Sequence, residues 1–310
     1  MRRVAAIVNP VAGKAKGTRL RAKAIEELKR LFPDIAFLES GAPGHATELA
    51  REAKDSDLVI AIGGDGTVRE VVAGLMSATG PLDHLTTEAL PLLAVIPVGS
   101  CNDLPRNAGT PADVIQACRV AKEGAARPID VIRVEMSGDS STQQTYFANA
   151  AGFGFDAMVT AEAKKSKHLR GMLLYLVAII RTLSHLQCPL ARIRAGDFQV
   201  EQRVLMIAAA NGQYYGGGLR VAPDARPDDG LIDVCIGWEM GWWSTLKKLP
   251  RFVAGTHVTL KEVRMLRGPE LELEFLEPVR VELDGDVLLP QSFRRFRLTV
   301  LPKAITLRVP

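Results

Sequence analysis

An α/β domain with a parallel sheet, followed by an all-β antiparallel sandwich domain, is the fold class that the sequence predicts. Three observations point to it. Buried strand-like runs alternate with helix-period segments up to about residue 125. Beyond that point, period-2 segments separated by Gly, Asp and Pro turns take over. A chain of 310 residues is also longer than one ordinary domain. The expected domains are 1–125 and 126–310, and the arrangement leaves room for the last residues to return to the first.

The first domain reads as strand, helix, strand in order. "RVAAIVNP" (3–10) is an apolar strand ending at Asn-Pro. Residues 18–31 place apolar side chains at helical spacing, with Thr18 as the expected N-cap. "IAFLES" (35–40) is a strand, "HATELAREA" (45–53) a helix, and "DLVIAIGG" (57–64) a strand apolar along its length, as burial on both faces requires. "TVREVVAGLM" (67–76) is a helix, "PLLAVIPVG" (91–99) a strand, and "PADVIQACRVAKEG" (111–124) a helix. In the second domain the predicted strands lie at 128–136, 142–152, 204–212, 230–238, 257–268, 271–288 and 296–302. Helical segments interrupt them at 157–186 and 240–254.

Composition narrows the function classes. Hydrophobic residues make up 47% and charged residues 24%, with a net charge of +4, which is ordinary globular composition and no electrostatic case for nucleic acid. Cys101, Cys118, Cys188 and Cys235 are widely spaced, with neither a CxxC pair nor a His/Cys metal spacing. Reduced thiols in a cytoplasmic protein are expected. No apolar run approaches the roughly 18–20 residues of a membrane span, so any membrane contact is peripheral. His45, His84, His168, His185 and His257 show no ligand spacing. No G-x-S-x-G elbow points to a covalent nucleophile.

Three loops of the first domain fall at the carboxyl ends of strands: "NPVAGKAKG" (9–17), "GGDGT" (63–67) and "PVGSCNDLPR" (97–106). An open α/β sheet binds ligands outside those ends. Glycines let backbone N–H groups approach anionic oxygens, and a helix N-terminus adds a positive dipole end. Lys14 and Lys16 can neutralise phosphate. Neither GxxxxGK[ST] nor GxGxxG is present. Asp65 is the informative residue, because a carboxylate in a phosphate cradle repels its ligand unless a cation intervenes. Mg²⁺ uses one or two carboxylates with phosphate oxygens in this way. Asp103 either joins the same cluster or forms an Asx-turn or helix cap.

"GGDGTVREVVAG" together with "PVGSCNDLPR", preceded by "NPVAGK", resembles the diacylglycerol kinase catalytic family, which includes sphingosine and ceramide kinases and bacterial relatives. The resemblance runs on through "FANAAGFGFDA" (147–157), "ANGQYYGGGLRVAPDARPDDGLIDV" (210–234) and "VELDGD" (281–286). It implies a two-domain, NAD-kinase-like kinase using ATP and Mg²⁺, with the active site in the cleft between domains. By position it assigns Asn9, Pro10, Gly13, Gly63, Gly64, Asp65, Gly66 and Thr67 to the nucleotide, beside Lys14, which its own charge offers to phosphate. Ser40 stands at a threonine position that contacts nucleotide in relatives. Glu70 holds the acidic position after GGDGT. Ser100 and Asn102 fill the Gly-Thr-Asn-Asp segment, with serine in place of threonine. The late DGE motif is Asp284-Gly285-Asp286 here, so either Asp284 or Asp286 is the implied base for the lipid hydroxyl, with Asp286 one methylene shorter than glutamate. Asp65 and Asp103 are the implied metal- and water-organising acids. A structural Mg²⁺ site is implied at Asp229 with the backbone carbonyls of Arg226 and Leu231. Taken by itself, "DDG" at 228–230 is equally a plain turn.

"AKKSKHLRGMLLYLVAIIRTL" (163–183) joins a basic stretch to an apolar one, and Trp238, Trp242 and Trp243 lie near Lys247 and Lys248. Each suits either a membrane surface or ordinary packing. The resulting expectation is a cytoplasmic, peripherally membrane-associated lipid kinase. Diacylglycerol is the simplest acceptor, and no nucleic-acid partner is expected. A homodimer is compatible with the sequence, which does not fix the oligomeric state. Other lipid acceptors (sphingoid base, ceramide, polyprenol), a soluble-substrate kinase of the NAD kinase kind, a nucleotide-binding regulator without catalysis, and a membrane-surface binding protein remain as alternatives.

Overall fold

The computed structural model describes residues 3–78, 90–138, 142–166, 169, 171–183, 188–288 and 291–310. The chain forms two compact units. One comprises Met1–Val131 with Pro302–Pro310, and the other Ile132–Leu301. The sequence reading parts the domains at 125/126, whereas the units part inside a strand, β5 (Ala125–Ser137).

In the first unit, β1 (Val4–Val8), β2 (Ala36–Glu39), β3 (Leu58–Gly63) and β4 (Leu92–Pro97) pair in parallel in the order β4-β3-β1-β2. Strand alternation divides their side chains between two faces. Val4, Ala6, Val8, Leu58, Ile60, Ile62, Ala94 and Ile96 form one core with Ala24 and Leu28 of α1 (Lys14–Leu31) and Ala117, Cys118 and Ala121 of α5 (Val114–Glu123). The intervening residues, among them Ile7, Val59 and Leu93, are equally buried on the opposite face, and α2 (His45–Glu52) packs there against α3 (Asp65–Ser77). Burial on both faces explains why β1 and β3 read as unbroken apolar runs.

Helix α1 begins at Lys14, four residues ahead of the Thr18 cap expected from sequence. Gly13 turns the chain at φ 71°, a left-handed conformation, and the helix starts without a side-chain cap. A short helix, α4 (Asp103–Asn107), follows β4; its five residues are too few to show helical periodicity.

The second unit is an antiparallel two-sheet structure. One sheet follows β14 (Asp286–Val287), β13 (Val281–Leu283), β7 (Ala150–Gly154), β9 (Phe198–Ala210), β10 (Ile232–Trp238) and β11 (Val263–Gly268). The other contains β8 (Leu190–Ala195), β12 (Glu270–Val279), the start of β15 (Phe293–Val309) and β9 again. β6 (Thr142–Phe147) pairs with β5. β9 serves both sheets: residues 198–203 pair with β8 and residues from Val204 onward with β10 and β7. Phe153 of one sheet meets Phe296 of the other edge-on at 4.8 Å, inside a core that also holds Phe147, Ile207, Phe275 and Phe293.

The helical segment expected over 157–186 forms two helices, α6 (Phe155–Lys165) and α7 (Gly171–Thr182). Ser166 leaves the helical region at φ −74°, ψ 132°. The expected strand 142–152 also divides, into β6 and β7. α8 (Trp242–Ala254) lies within the span expected for it. Among the described residues, no helix is long and apolar enough to cross a membrane.

Candidate active site

In the first unit, three strand-end loops interlock. The Asn9 side chain donates to the Thr67 hydroxyl at 2.9 Å and accepts the Val11 N–H at 3.0 Å. This ties the first loop to the start of α3. Gly13 backs onto the third loop so closely that a Cβ there would lie 2.0 Å from the Val98 carbonyl oxygen. Gly64 and Gly99 meet backbone to backbone; a Cβ on Gly99 would stand 2.4 Å from the Gly64 Cα. The sequence shows glycines at these places, and the structure shows what they permit: close approach of loop to loop, with the N–H-rich turn left bare of side chains.

Asp65 fastens the second loop to the third. One carboxylate oxygen accepts the Asn102 N–H at 2.8 Å and the other the Asp103 N–H at 2.7 Å. Asn102 itself is left-handed (φ 56°), and its amide exchanges hydrogen bonds with the Gly99 backbone at 3.1 and 3.2 Å. Burial, reinforced by the neighbouring Asp103 charge, pushes the Asp65 carboxyl up to about 7 despite those N–H groups. Arg106 lies 3.7 Å from the Asp103 carboxylate and balances part of this charge; the two carboxylates are oxygen donors of the kind Mg²⁺ takes.

The remaining first-unit candidates have defined places. The Ser40 hydroxyl, buried at the end of β2, donates to the Val8 carbonyl at 3.4 Å. The Glu70 carboxylate accepts the Gly44 and Ala46 N–H groups at 2.9 and 3.2 Å and so caps α2. Ser100 follows Gly99 in the third loop and is partly exposed, as is Gly66 in the first turn of α3. Pro10 opens the first loop. Lys14 is the first residue of α1, and its side chain lies outside the described residues.

In the second unit, the late motif, the 147–157 segment and the 210–219 segment come together. Asp284, left-handed at φ 46°, turns its carboxylate onto the Ala148, Asn149 and Ala150 N–H groups at 2.8–2.9 Å. The Asn211 side chain donates to the Ala148 carbonyl at 2.9 Å, and the Asn149 side chain to that of Tyr214 at 3.1 Å. Asp284 is thus buried and engaged with backbone. Asp286, two residues on, is partly exposed and ion-paired with Lys164 of α6.

Three groups absent from the sequence reading complete this cluster. Glu282 is wholly buried; it accepts the Tyr215 hydroxyl and, at 2.8 Å, the Gly285 N–H. Burial drives its carboxyl well above the ordinary range, and burial likewise raises the Tyr215 phenol. Asp156, in the first turn of α6, is pushed up to about 7 by burial, and its Oδ2 has no hydrogen-bond partner among the described residues. Asp156 and Tyr215, with Thr245 and Lys248, border a mainly apolar cavity of about 60 Å³ walled by α6, α7, α8 and β9, with Val159, Ile179, Leu205 and Phe252 among its lining. Strand alternation put Glu282 on the polar side of β13, and α6 covers that side. For Asp156, an acid among apolar residues in "GFGFDAMV" was the available signal.

At the expected structural metal site, Asp229 accepts the Leu231 N–H at 3.1 Å and pairs with Arg267. Asp233 lies 3.4 Å from the same guanidinium. Burial is the main influence on Asp233, and the nearby Asp229 and Asp224 charges add to it, against the pull of Arg267; its carboxyl reaches about 6. Two acids, Asp229 and Asp233, share the one arginine, and backbone carbonyls such as those of Arg226 and Leu231 are donors of the kind a hard cation takes. Among the described residues no group of three or more His, Cys, Asp or Glu side chains is arranged to hold a metal by itself.

Comparison with known proteins covers both units. Residues 3–134 match the diacylglycerol kinase catalytic domain, and residues 149–309 match the YegS C-terminal NAD kinase beta sandwich-like domain. A Stenotrophomonas maltophilia (strain K279a) protein named probable lipid kinase YegS-like is 32% identical over 271 residues, covering 86% of this chain and 84% of its own. A Pectobacterium atrosepticum protein of the same name is 31% identical over 304 residues, covering 96% and 94%. Among solved structures, a diacylglycerol kinase from Bacillus anthracis str. Sterne superposes with a TM-score of 0.71 at 23% identity, covering 100% of this chain and 97% of its own. Yeast NADH kinase complexed with NADH superposes with a TM-score of 0.52 at 12% identity, covering 98% and 82%. At those identities both structures speak to the fold alone.

Proposed function

We propose that this chain, which belongs to the YegS-like lipid kinases, transfers the γ-phosphoryl group of ATP to a lipid hydroxyl in an Mg²⁺-dependent reaction, with diacylglycerol as acceptor and phosphatidic acid as product. The observation that carries the choice of a lipid acceptor is the apolar cavity of the second unit, bordered by the buried carboxyl of Asp156. Its apolar wall suits a short part of an acyl chain, since about 60 Å³ falls well below the roughly 300–1,000 Å³ of a site that encloses a whole ligand, and a carboxyl at its border suits the polar head that follows the chain.

Each residue then has a chemical task. The loops containing Gly13, Gly63–Thr67 and Gly99–Asn102 present backbone N–H groups to the phosphates of ATP. Asn9, through Thr67, keeps the first two loops in register. Asp65 holds the third loop by its N–H groups and, with Asp103, supplies the negative charge that a cation balances. Mg²⁺, when bound, neutralises the charge spread over the transferring phosphoryl group. Asp286 accepts the proton of the attacking hydroxyl. Asp284 is disqualified from that task by its three N–H donors and acts as a positioning residue for the turn. Lys164 holds the Asp286 carboxylate. It stands eight residues beyond Asp156 on α6, about 12 Å along the helix axis, which joins the cavity border to the base.

The test is transfer from labelled ATP to a panel of diacylglycerol, sphingoid base, ceramide, polyprenol and soluble NAD, each with Mg²⁺ and with chelator. Mg²⁺-dependent labelling of diacylglycerol above the others is expected. Labelling of NAD alone would overturn the lipid acceptor. Labelling of another lipid would overturn diacylglycerol only.

A further inference from the structure

Helix α8 (Trp242–Ala254) is unlike the other long helices of the second unit: none of its residues is buried. It is nevertheless firmly held from one side. Thr245, Leu249 and Phe252 line the apolar cavity, Phe252 stacks on the buried His257 at 4.2 Å, and Lys248 reaches Glu262 at 3.4 Å. Next to that side runs a second apolar stripe at helical spacing, formed by the exposed Trp242 and Pro250 and the half-buried Leu246 and Val253, with the exposed Trp243 beside it. Trp242 and Trp243 are 47% and 59% exposed and stack on one another at 3.9 Å. Two adjacent exposed tryptophans are costly in water, and nothing in the described structure covers them.

Charge selects the occupant of that face. Between Met240 and Thr256 the sequence contains Lys247, Lys248 and Arg251 and no acid. Lys247 is exposed and has no acidic partner among the described residues. Arg251 is turned to the Thr256 carbonyl and the Thr259 hydroxyl at 3.0 and 2.6 Å, beside the stripe. Of the nearest acids, Glu262 is occupied by Lys248, and Glu239 precedes the helix. Paired indoles flanked by basic side chains match the boundary of a bilayer with anionic headgroups, where the ring sits among headgroups and the cations meet phosphate.

We infer that α8 docks this protein on an anionic bilayer through Trp242, Trp243 and Lys247. The inference rests on the acceptor being a lipid, and it adds a route: the inner face of the docked helix lines the cavity. A lipid leaving the bilayer beside α8 therefore meets apolar wall without crossing water.

The test uses the full chain without ATP, co-sedimented with phosphatidylcholine vesicles and with vesicles containing phosphatidylglycerol. Wild type is expected to prefer the anionic vesicles, with a blue shift of tryptophan emission and quenching by brominated lipid. W242A/W243A and, separately, K247E are expected to weaken partition about tenfold and fivefold respectively. Transfer to a short-chain monomeric acceptor should stay at the wild-type rate in both variants, while transfer to vesicle lipid falls. Undiminished vesicle binding by W242A/W243A would overturn the inference. So would a lipid-free dimer, seen by sedimentation velocity, that the same substitutions dissolve, because a second copy would then own the face. Because binding is read without nucleotide, absence of kinase activity toward every acceptor would leave the docking result standing and overturn the catalytic reading separately.

Discussion

The Asp65 carboxylate accepts the backbone N–H of Asp103 at 2.7 Å. With the matching bond from Asn102, this answers what an acid does inside a glycine turn: it clamps a neighbouring loop. Asp65→Asn keeps one acceptor and turns an NH₂ toward an N–H. The expected outcome is a loss of at least about a hundredfold in kcat/KM, together with weaker ATP binding by equilibrium dialysis. Intact ATP affinity with lost turnover would assign Asp65 to the transfer step alone.

Asp284 and Asp286 should separate cleanly. Asp284→Ala strands three buried N–H groups, and chemical denaturation should show a loss of at least about 3 kcal/mol. Activity is then lost through the fold. A variant of normal stability and no activity would contradict the positioning role.

Asp286→Ala removes a partly exposed ion pair with Lys164, a kind of pair worth no more than about 1 kcal/mol. Its kcat should nevertheless fall by about 10²–10⁴, with Asp286→Glu recovering much of it. Activity retained in Asp286→Ala would remove Asp286 from catalysis.

Asp156 makes a pH-dependent prediction. Burial raises its carboxyl from 3.8 to about 7, so the folded state favours the protonated form. That advantage is complete below about pH 4 and is lost as the pH rises through about 7. Asp156→Asn, which does not ionise, should therefore gain on wild type across this interval by about 1–3 kcal/mol. Thermal melts of both proteins at pH 5 and pH 8 would show it, and a constant difference between the two pH values would refute it.

Much of the first unit was legible because each buried strand is a continuous apolar run and each loop is marked by glycines. The sequence put Asp65, Gly13 and Asn9 in loops at one sheet edge, and the structure joins those loops directly. Local pattern failed where tertiary contact decides. Thr18 carries a capping hydroxyl, yet Gly13 starts the helix because its left-handed turn fits under Val98. For Glu70, whose place after a phosphate-type loop was legible, only the fold shows that its carboxylate also serves the N-terminus of α2, 24 residues earlier in sequence. Glu282 obeys the alternation of its strand and is buried all the same, since a helix closes over the side that alternation leaves polar. β8 (Leu190–Ala195) went unread because its six residues hold only two large apolar side chains, although Ala191 and Ile193 alternate with exposed Arg192 and Arg194 as a strand requires. The different surroundings of Asp284 and Asp286 needed the third dimension, as only contacts show one carboxylate on three backbone N–H groups and the other beside Lys164.

The first unit is completed by residues 302–310, which lie 170 residues downstream of its main segment. Within them, Leu307 pairs in parallel with Leu93 of β4. During synthesis, β4 therefore leaves the ribosome with an unfilled side and keeps it until the whole second unit has emerged. An open parallel edge invites pairing with the wrong strand. The order of the chain thus makes completion of the first unit wait on the second, so a nascent chain stalled in the second unit exposes that edge before the first unit is whole.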